Sequence, residues 1–198
     1  MQEPLTQTSL ATRYLTLPSG EKALIRPIGT QDSHLLTEAL DHLSPESRYQ
    51  RFFFPKHCFT QGELNQLTHS DGIMHLALGM ATLDEQNNEK EPLAVARCVR
   101  DTPTQTEAQI AIVVADQWHG QGLGTIMLED MSVRALSVGI THWRAHYLSR
   151  NEAVRQLLQK VALRLSESSE GDGILSGLFE LTHPVKLDAE QTQRSEIQ

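Results

Sequence analysis

Five consecutive apolar residues, Ile110-Ala111-Ile112-Val113-Val114, run almost directly into DQWHGQGLGTIML (116–128), which carries three glycines spaced two apart. An apolar run without polar alternation reads as a strand buried on both faces at the centre of a sheet. Beyond the glycines, Ile126, Met127, Met131 and Val133 to Leu136 support a helix to about residue 138. Strand, glycine loop and helix in that order place the chain among α/β folds. They also make an anion site: successive backbone N–H groups converge, the helix N-terminus adds partial positive charge, and glycine lets the backbone approach closely. The alternative is a tight connection that uses glycine only for its φ angles.

The rest of the chain arranges itself around that unit. YLTL (14–17) and ALIRPI (23–28) flank a Pro-Ser-Gly turn and predict a hairpin. Asp32 is placed to cap a first helix, and Ser44-Pro45-Glu46 to open a second that carries RYQRFFF, an aromatic cluster expected in the core. A short helix at 60–68 precedes two apolar segments, 73–83 and 92–100, joined as in a meander. ITHWRAHYL reads as a strand, NEAVRQLLQKVALRL as a helix, SESSEGDG as a polar break and ILSGLFELT as a last strand. One domain over 14–185 is expected, with residues 1–13 a flexible N-terminal segment and 186–198 a C-terminal tail.

Charge excludes one class of partner. Lys plus Arg total 17 against 25 Asp plus Glu, a net −8, so no basic face for a nucleic acid backbone is expected. No stretch of about 18 uncharged apolar residues predicts a membrane span, and the first residues lack a secretory pattern. Cys58 and Cys98 are too few for a disulfide scaffold, which suits a reducing cytoplasm. His142 and His146 stand four apart, but on a strand that is about 13 Å, too far to share an ion. No metal is expected.

The glycines themselves discriminate among anions. A nucleoside-triphosphate loop needs a lysine after its last glycine, where Thr125 and Ile126 stand here. A dinucleotide loop wants a carboxylate ending the next strand, which instead ends Tyr147-Leu148-Ser149. HGQGLG resembles the pyrophosphate-binding motif of the GNAT superfamily of N-acetyltransferases, Gln/Arg-x-x-Gly-x-Gly/Ala, with His119, Gly122 and Gly124 at the specified positions. Asn151, opening NEAVRQLLQKVAL, is similar to the family's next landmark, and Ala162-Leu163 stands for its usual Gly-Phe. ALIRPIGTQD and LSPESRYQRFF resemble the corresponding segments of bacterial GNAT domains that acetylate protein lysines.

That resemblance implies an α/β (α+β) fold. Its central sheet is mixed, mostly antiparallel and flanked by helices. It is splayed between the AQIAIVV and THWRAHYL strands, its fourth and fifth main strands. It implies acetyl-CoA as cosubstrate and an amine, such as a protein lysine, as acceptor. The pantetheine arm would lie in the gap beside Ile112, with the Val113 and Val114 backbone facing the thioester. The pyrophosphate would sit on the loop of His119, Gly120, Gln121, Gly122, Leu123, Gly124 and Thr125, with Asn151 nearby as cofactor contact or plain helix cap.

Acetyl transfer needs a neutral amine, so a proton must leave an ammonium whose reference pKa is about 10.4 for lysine. In the lysine-acetylating relatives a glutamate early in the central strand takes that role, and Gln109 occupies its position. An amide is no base. Glu107, two residues earlier on the same strand face, is the candidate to act through a water, or a plain strand-end charge. The family's tyrosine acid would fall at Leu158, leaving Tyr147 and His146 as substitutes. A GNAT fold that binds acyl-CoA without turnover, as a sensor or regulatory module, therefore stays open.

Overall fold

The computed structural model describes residues 11–181. Strand β1 (Arg13–Thr16) turns into β2 (Lys22–Pro27), with Gly20 at φ +91° and its N–H donating to Leu17 O at 2.8 Å. Helix α1 (Ser33–Asp41) follows a short 3-10 turn. Asp32 holds its N-cap position without a side-chain cap, because the carboxylate accepts instead from Arg26 (2.7 and 2.9 Å) and the Gly29 N–H (2.7 Å). Helix α2 (Pro45–Phe52) is capped by Ser44 Oγ, and α3 (Gln61–Thr68) by a Thr60–Glu63 capping box.

Then come β3 (His75–Leu83), β4 (Glu89–Val99), β5 (Glu107–Val114), α4 (Leu123–Ser137), β6 (His142–Leu148), α5 (Glu152–Val161), β7 (Ala162–Gly171) and β8 (Ile174–Leu181). The eight strands form one sheet in the order β1-β2-β3-β4-β5-β6-β8-β7, antiparallel throughout except between β5 and β6.

Two layers of helix cover the sheet. On one face Leu76, Leu78, Cys98, Ile110 and Trp143 pack with Met127, Leu128, Met131 and Ala135 of α4 and Leu158 of α5 in the main core. Each of those large side chains contributes about 1.5–3 kcal/mol by leaving water. On the other face a smaller cluster of Ile28, Leu36 and Ala77 joins Leu64, Leu67 and Val95, so α1 and α3 lie there.

The C-terminal reading needs correction. The helix expected through Leu165 stops at Val161, and Ala162 is already extended (φ −141°, ψ 151°). Leu163 and Leu165 continue the apolar spacing of Leu157 and Leu158, but they alternate on a strand and are 56% and 48% exposed. The supposed break SESSEG pairs with β8 along its length. Only Gly171-Asp172-Gly173, all at positive φ, makes the turn. Pairing with a ready partner overrides local propensity, and a polar strand is tolerated at a sheet edge. The aromatic expectation also changes: α2 has no buried residue, Phe54 is exposed, and Phe52 meets Phe59 edge to face at 5.8 Å. Residues 1–10 and those beyond 181 lie outside the described residues, so the flexible segment and the tail are not assessed, and the strand begins at Arg13.

Candidate functional site

Strand β5 is paired with β4 over six rungs, from Ala94↔Val114 to Val99↔Gln109, but with β6 over only three, Glu107↔His142 to Gln109↔Arg144. From Ile110 onward β5 and β6 part, as the resemblance implied. The Ala115 N–H donates to Leu93 O at 2.8 Å, which fixes the alternation. The backbone groups of Val113 turn to β4, and those of Ile110, Ile112 and Val114 turn to the gap. So Val114 and Ile112, not Val113, present main-chain groups there. The His119 Nε2–H donates to Val114 O at 2.9 Å and closes one of them.

At the end of the gap the three glycines do different work. Gly120 and Gly122 have φ +74° and +80° with open space where a side chain would be. Gly122 begins α4 with no side-chain cap, leaving the first helical N–H groups directed at the cleft. Gly124 instead admits α5: a Cβ there would meet Leu157 Cδ2 at 2.8 Å.

Gap and loop open into a cleft of about 1030 Å³ that also takes in α2, α3 and the length of α5. A carboxylate holds α2 in place. Asp116 accepts from the Ser44 N–H (2.7 Å), Ser44 Oγ (3.1 Å) and Ser47 Oγ (2.5 Å). Against the desolvation of a partly buried acid, these bonds keep its pKa below the ordinary aspartate value. Asn151 acts twice: Oδ1 accepts from the Val154 N–H at 3.2 Å as the α5 cap, and Nδ2 donates to Gln50 of α2 at 3.2 Å.

Of the expected site residues, Ile112, Val113, Val114, His119, Gly120, Gly122, Leu123, Gly124, Thr125, Asn151 and Gln109 line the cleft, whereas Gln121 and Glu107 do not. Glu107 is engaged bidentately by Arg144 (2.6 and 3.1 Å), which holds its carboxyl below the usual glutamate range. A carboxylate so paired, at the end where β5 and β6 close, is a poor base for a substrate farther along the gap. Leu158 is buried at the tyrosine position. Tyr147 donates its hydroxyl to Glu167 Oε2 at 2.6 Å, and burial and that partner push its pKa up. His146 is exposed, lines the cleft and forms no hydrogen bond among the described residues.

Among the described residues no aspartate or glutamate lines this cleft. Its charged members are Arg51 of α2, Arg97 of β4 and Lys160, in a chain of net charge −8. Arg97 is buried beside His75. Its Nη1 donates to His75 Nε2 at 2.9 Å, and His75 Nδ1–H in turn donates to His69 O at 3.0 Å. That chain fixes a neutral tautomer. Burial and then the Arg97 charge lower the His75 pKa accordingly. Sequence reasoning missed both arginines and His75. The signal was Arg97 itself, the one charge inside the apolar run LAVARCV.

The model of the Acetyltransferase (GNAT) family matches residues 34–162. Acetyltransferase Pat of Mycolicibacterium smegmatis is 27% identical over 143 residues, 72% of this chain but 41% of that protein, so the chain spans less than half of that relative's length. The crystal structure of the GNAT domain of S. lividans PAT shares the fold with a TM-score of 0.75 and 25% identity, over 86% of this chain and 97% of that one. A putative acetyltransferase from Salmonella typhimurium, solved with acetyl-CoA, shares it with a TM-score of 0.61 and 16% identity, over 84% and 98%. The family model covers well over half of the chain, and the chain belongs to the GNAT family of acetyltransferases.

Proposed function

We propose that the protein transfers an acetyl group from acetyl-CoA to an amine, with a protein lysine as the acceptor class favoured by the resemblance of ALIRPIGTQD and LSPESRYQRFF. One observation carries the reading: five residues of β5, Ile110–Val114, stand unpaired beside β6 and end at the uncapped N-terminus of α4. These residues fit the cosubstrate. The α4 N–H groups suit a diphosphate, and the apolar gap with its alternating main-chain groups suits an extended amide arm. Bound acetyl-CoA supplies a thioester: a nitrogen–carbon bond forms, the carbon–sulfur bond breaks, and the proton lost by nitrogen balances the released thiolate.

The chain's part is to orient and to polarise. The Ile112 N–H, turned into the gap, is placed to donate to a developing oxyanion. Arg51 and Arg97 disfavour a further positive charge nearby, so they lower the pKa of an ammonium entering the cleft and raise its neutral fraction. His146 and His69 line the cleft with rings that form no hydrogen bond among the described residues, and His146, on β6 across the gap, is our candidate for proton transfer. Place of action on this reading is the cytoplasm, supported by the free thiols of Cys58 and Cys98. Among the described residues no helix is long and apolar enough to cross a membrane.

A second reading, an acyl-CoA-binding module without turnover, draws on the absence of a carboxylate from the cleft lining and the engagement of Tyr147 by Glu167. Thiol release from acetyl-CoA, measured from pH 6.5 to 9.5 with lysine-containing peptides and small amines, separates the two. Turnover that rises with pH supports the transferase. Acetyl-CoA binding without thiol release at any pH supports the module.

A further inference from the structure

Three arginines are buried among the described residues, and two are fully accounted for. Arg100, 5% exposed, donates to three carbonyls: Ile73 O (3.0 Å), Gln105 O (2.9 Å) and Val138 O (2.9 Å). Arg134 pairs with Asp130 at 2.7 Å. Arg97, 6% exposed, has His75 on one nitrogen, and its Nη2 is buried with no hydrogen-bond partner. Burying a guanidinium without a partner for its charge is strongly unfavourable. Arg51, on the overhanging helix α2, lies close enough for its charge to act on Arg97. Its guanidinium faces the Phe52 ring at 5.1 Å, and neither arginine forms a salt bridge among the described residues.

Register gives the pair its address. Arg97 opposes Ala111, and Val99 opposes Gln109. Arg97 therefore lies on the α1–α3 face of the sheet, about 10 Å at three residues of strand rise before β5 ends at Val114, with the 3-10 turn Asp116–Trp118 still between it and the glycines. That distance separates it from the diphosphate site and sets it beside Gln109. Where a glutamate at position 109 would neutralise the arginines, this chain supplies an amide.

Resting on the acyl-CoA reading above, we propose that Arg51 and Arg97 form a carboxylate subsite at the reacting end of the cleft. The substrate brings the negative charge that this site lacks. Two guanidiniums present planar N–H pairs that match a carboxylate, while the His69–His75 relay holds Arg97 in place. Desolvation lowers both pKa values, to about 9 for buried Arg97 and about 10 for partly exposed Arg51, with the Arg51 charge adding to the effect at Arg97, so both remain charged near neutrality. The carboxylate comes from one of two sources: the far end of a dicarboxylic acyl group on CoA, or an acid group on the acceptor amine.

Calorimetry on the purified chain distinguishes them. CoA is titrated first and reports the loop alone. Acetyl-CoA is then compared with succinyl-CoA. At saturating CoA, N-acetylglycine and N-acetylmethionine are each compared with their C-terminal amides. The subsite predicts a preference of about tenfold or more for the acid-bearing member in one arm. The donor arm identifies a dicarboxylic acyl group, and the acceptor arm an acidic amine. Arg97→Gln and Arg51→Gln should each abolish the preference while the CoA affinity stays within about twofold. Arg51→Gln, on a helix with no buried residue, keeps the test valid if Arg97→Gln misfolds. No preference in either arm, or one that survives both substitutions, overturns the subsite and leaves the acyl-CoA reading standing. Absence of CoA binding overturns both.

Discussion

Gln109→Glu puts a carboxylate where the arginines lack one, and its effect on stability can be worked from the structure. Position 109 is exposed on β5, diagonal to Arg97 across the β4–β5 pair. Diagonal neighbours stand about 7 Å apart at most, within reach of two long side chains. At about 6 Å and an effective dielectric near 20, each guanidinium attracts a carboxylate by about 3 kcal/mol. The desolvation of Arg97 is already present in the wild type, and the new glutamate starts from an exposed site. A net gain of about 1–2 kcal/mol is therefore expected after side-chain ordering. For a chain of this size that raises Tm by about 2–8 °C. The introduced carboxyl has its folded pKa depressed by the guanidiniums. Its contribution is complete above the unfolded value of about 4.3 and is lost as pH falls through the lower folded value. Thermal melts of wild type, Gln109→Glu and the uncharged control Gln109→Met, from pH 7.5 down to 3, read this directly. A Gln109→Glu protein that melts at or below the wild-type temperature at pH 7.5, or no higher than Gln109→Met, refutes the reasoning that the arginines are uncompensated.

Asp116→Ala removes the acceptor of three hydrogen bonds that dock α2 and should cost about 2 kcal/mol, or about 4–8 °C in Tm. Because the folded Asp116 pKa is depressed, the gap between wild type and variant should hold above the unfolded aspartate value of about 3.9 and close as pH falls through the lower folded one. Gly122→Ala forces a side chain onto φ +80° and Gly20→Ala onto φ +91°, both in open space. Each should cost about 1–2 kcal/mol of stability, but in a CoA titration only Gly122→Ala should lose affinity. Glu107→Gln breaks an ion pair about one-third exposed on both sides, so a urea melt should register less than about 1 kcal/mol, and the pH–rate profile should keep its shape.

What the sequence made legible was periodic or glycine-marked. The apolar run 110–114 announced the central strand, and the unequal ladders on its two sides agree with the splay that the resemblance implied. The Ser44 cap marked a real helix start, and the short helix expected at 60–68 is α3. Illegible parts were those decided by distant partners. Leu163 and Leu165 carry a helical spacing that only β8 converts to an edge strand. Glu107 looked available until Arg144 of β6 was seen to hold it. Gly124 looked like a phosphate contact, yet its lack of a side chain accommodates Leu157. Arg51 and Arg97 are 46 positions apart in the chain and meet only when α2 is latched by Asp116 over the sheet.

The central claim is that the splayed strand and glycine turn hold an acyl-CoA, and calorimetric titration with acetyl-CoA, CoA, NAD and ATP tests it most directly. The account predicts saturable one-to-one binding of both CoA species and none of NAD or ATP at comparable concentration. Failure of both CoA species to bind would mean that HGQGLG serves only to turn the chain from β5 into α4, and would contradict the account at its base.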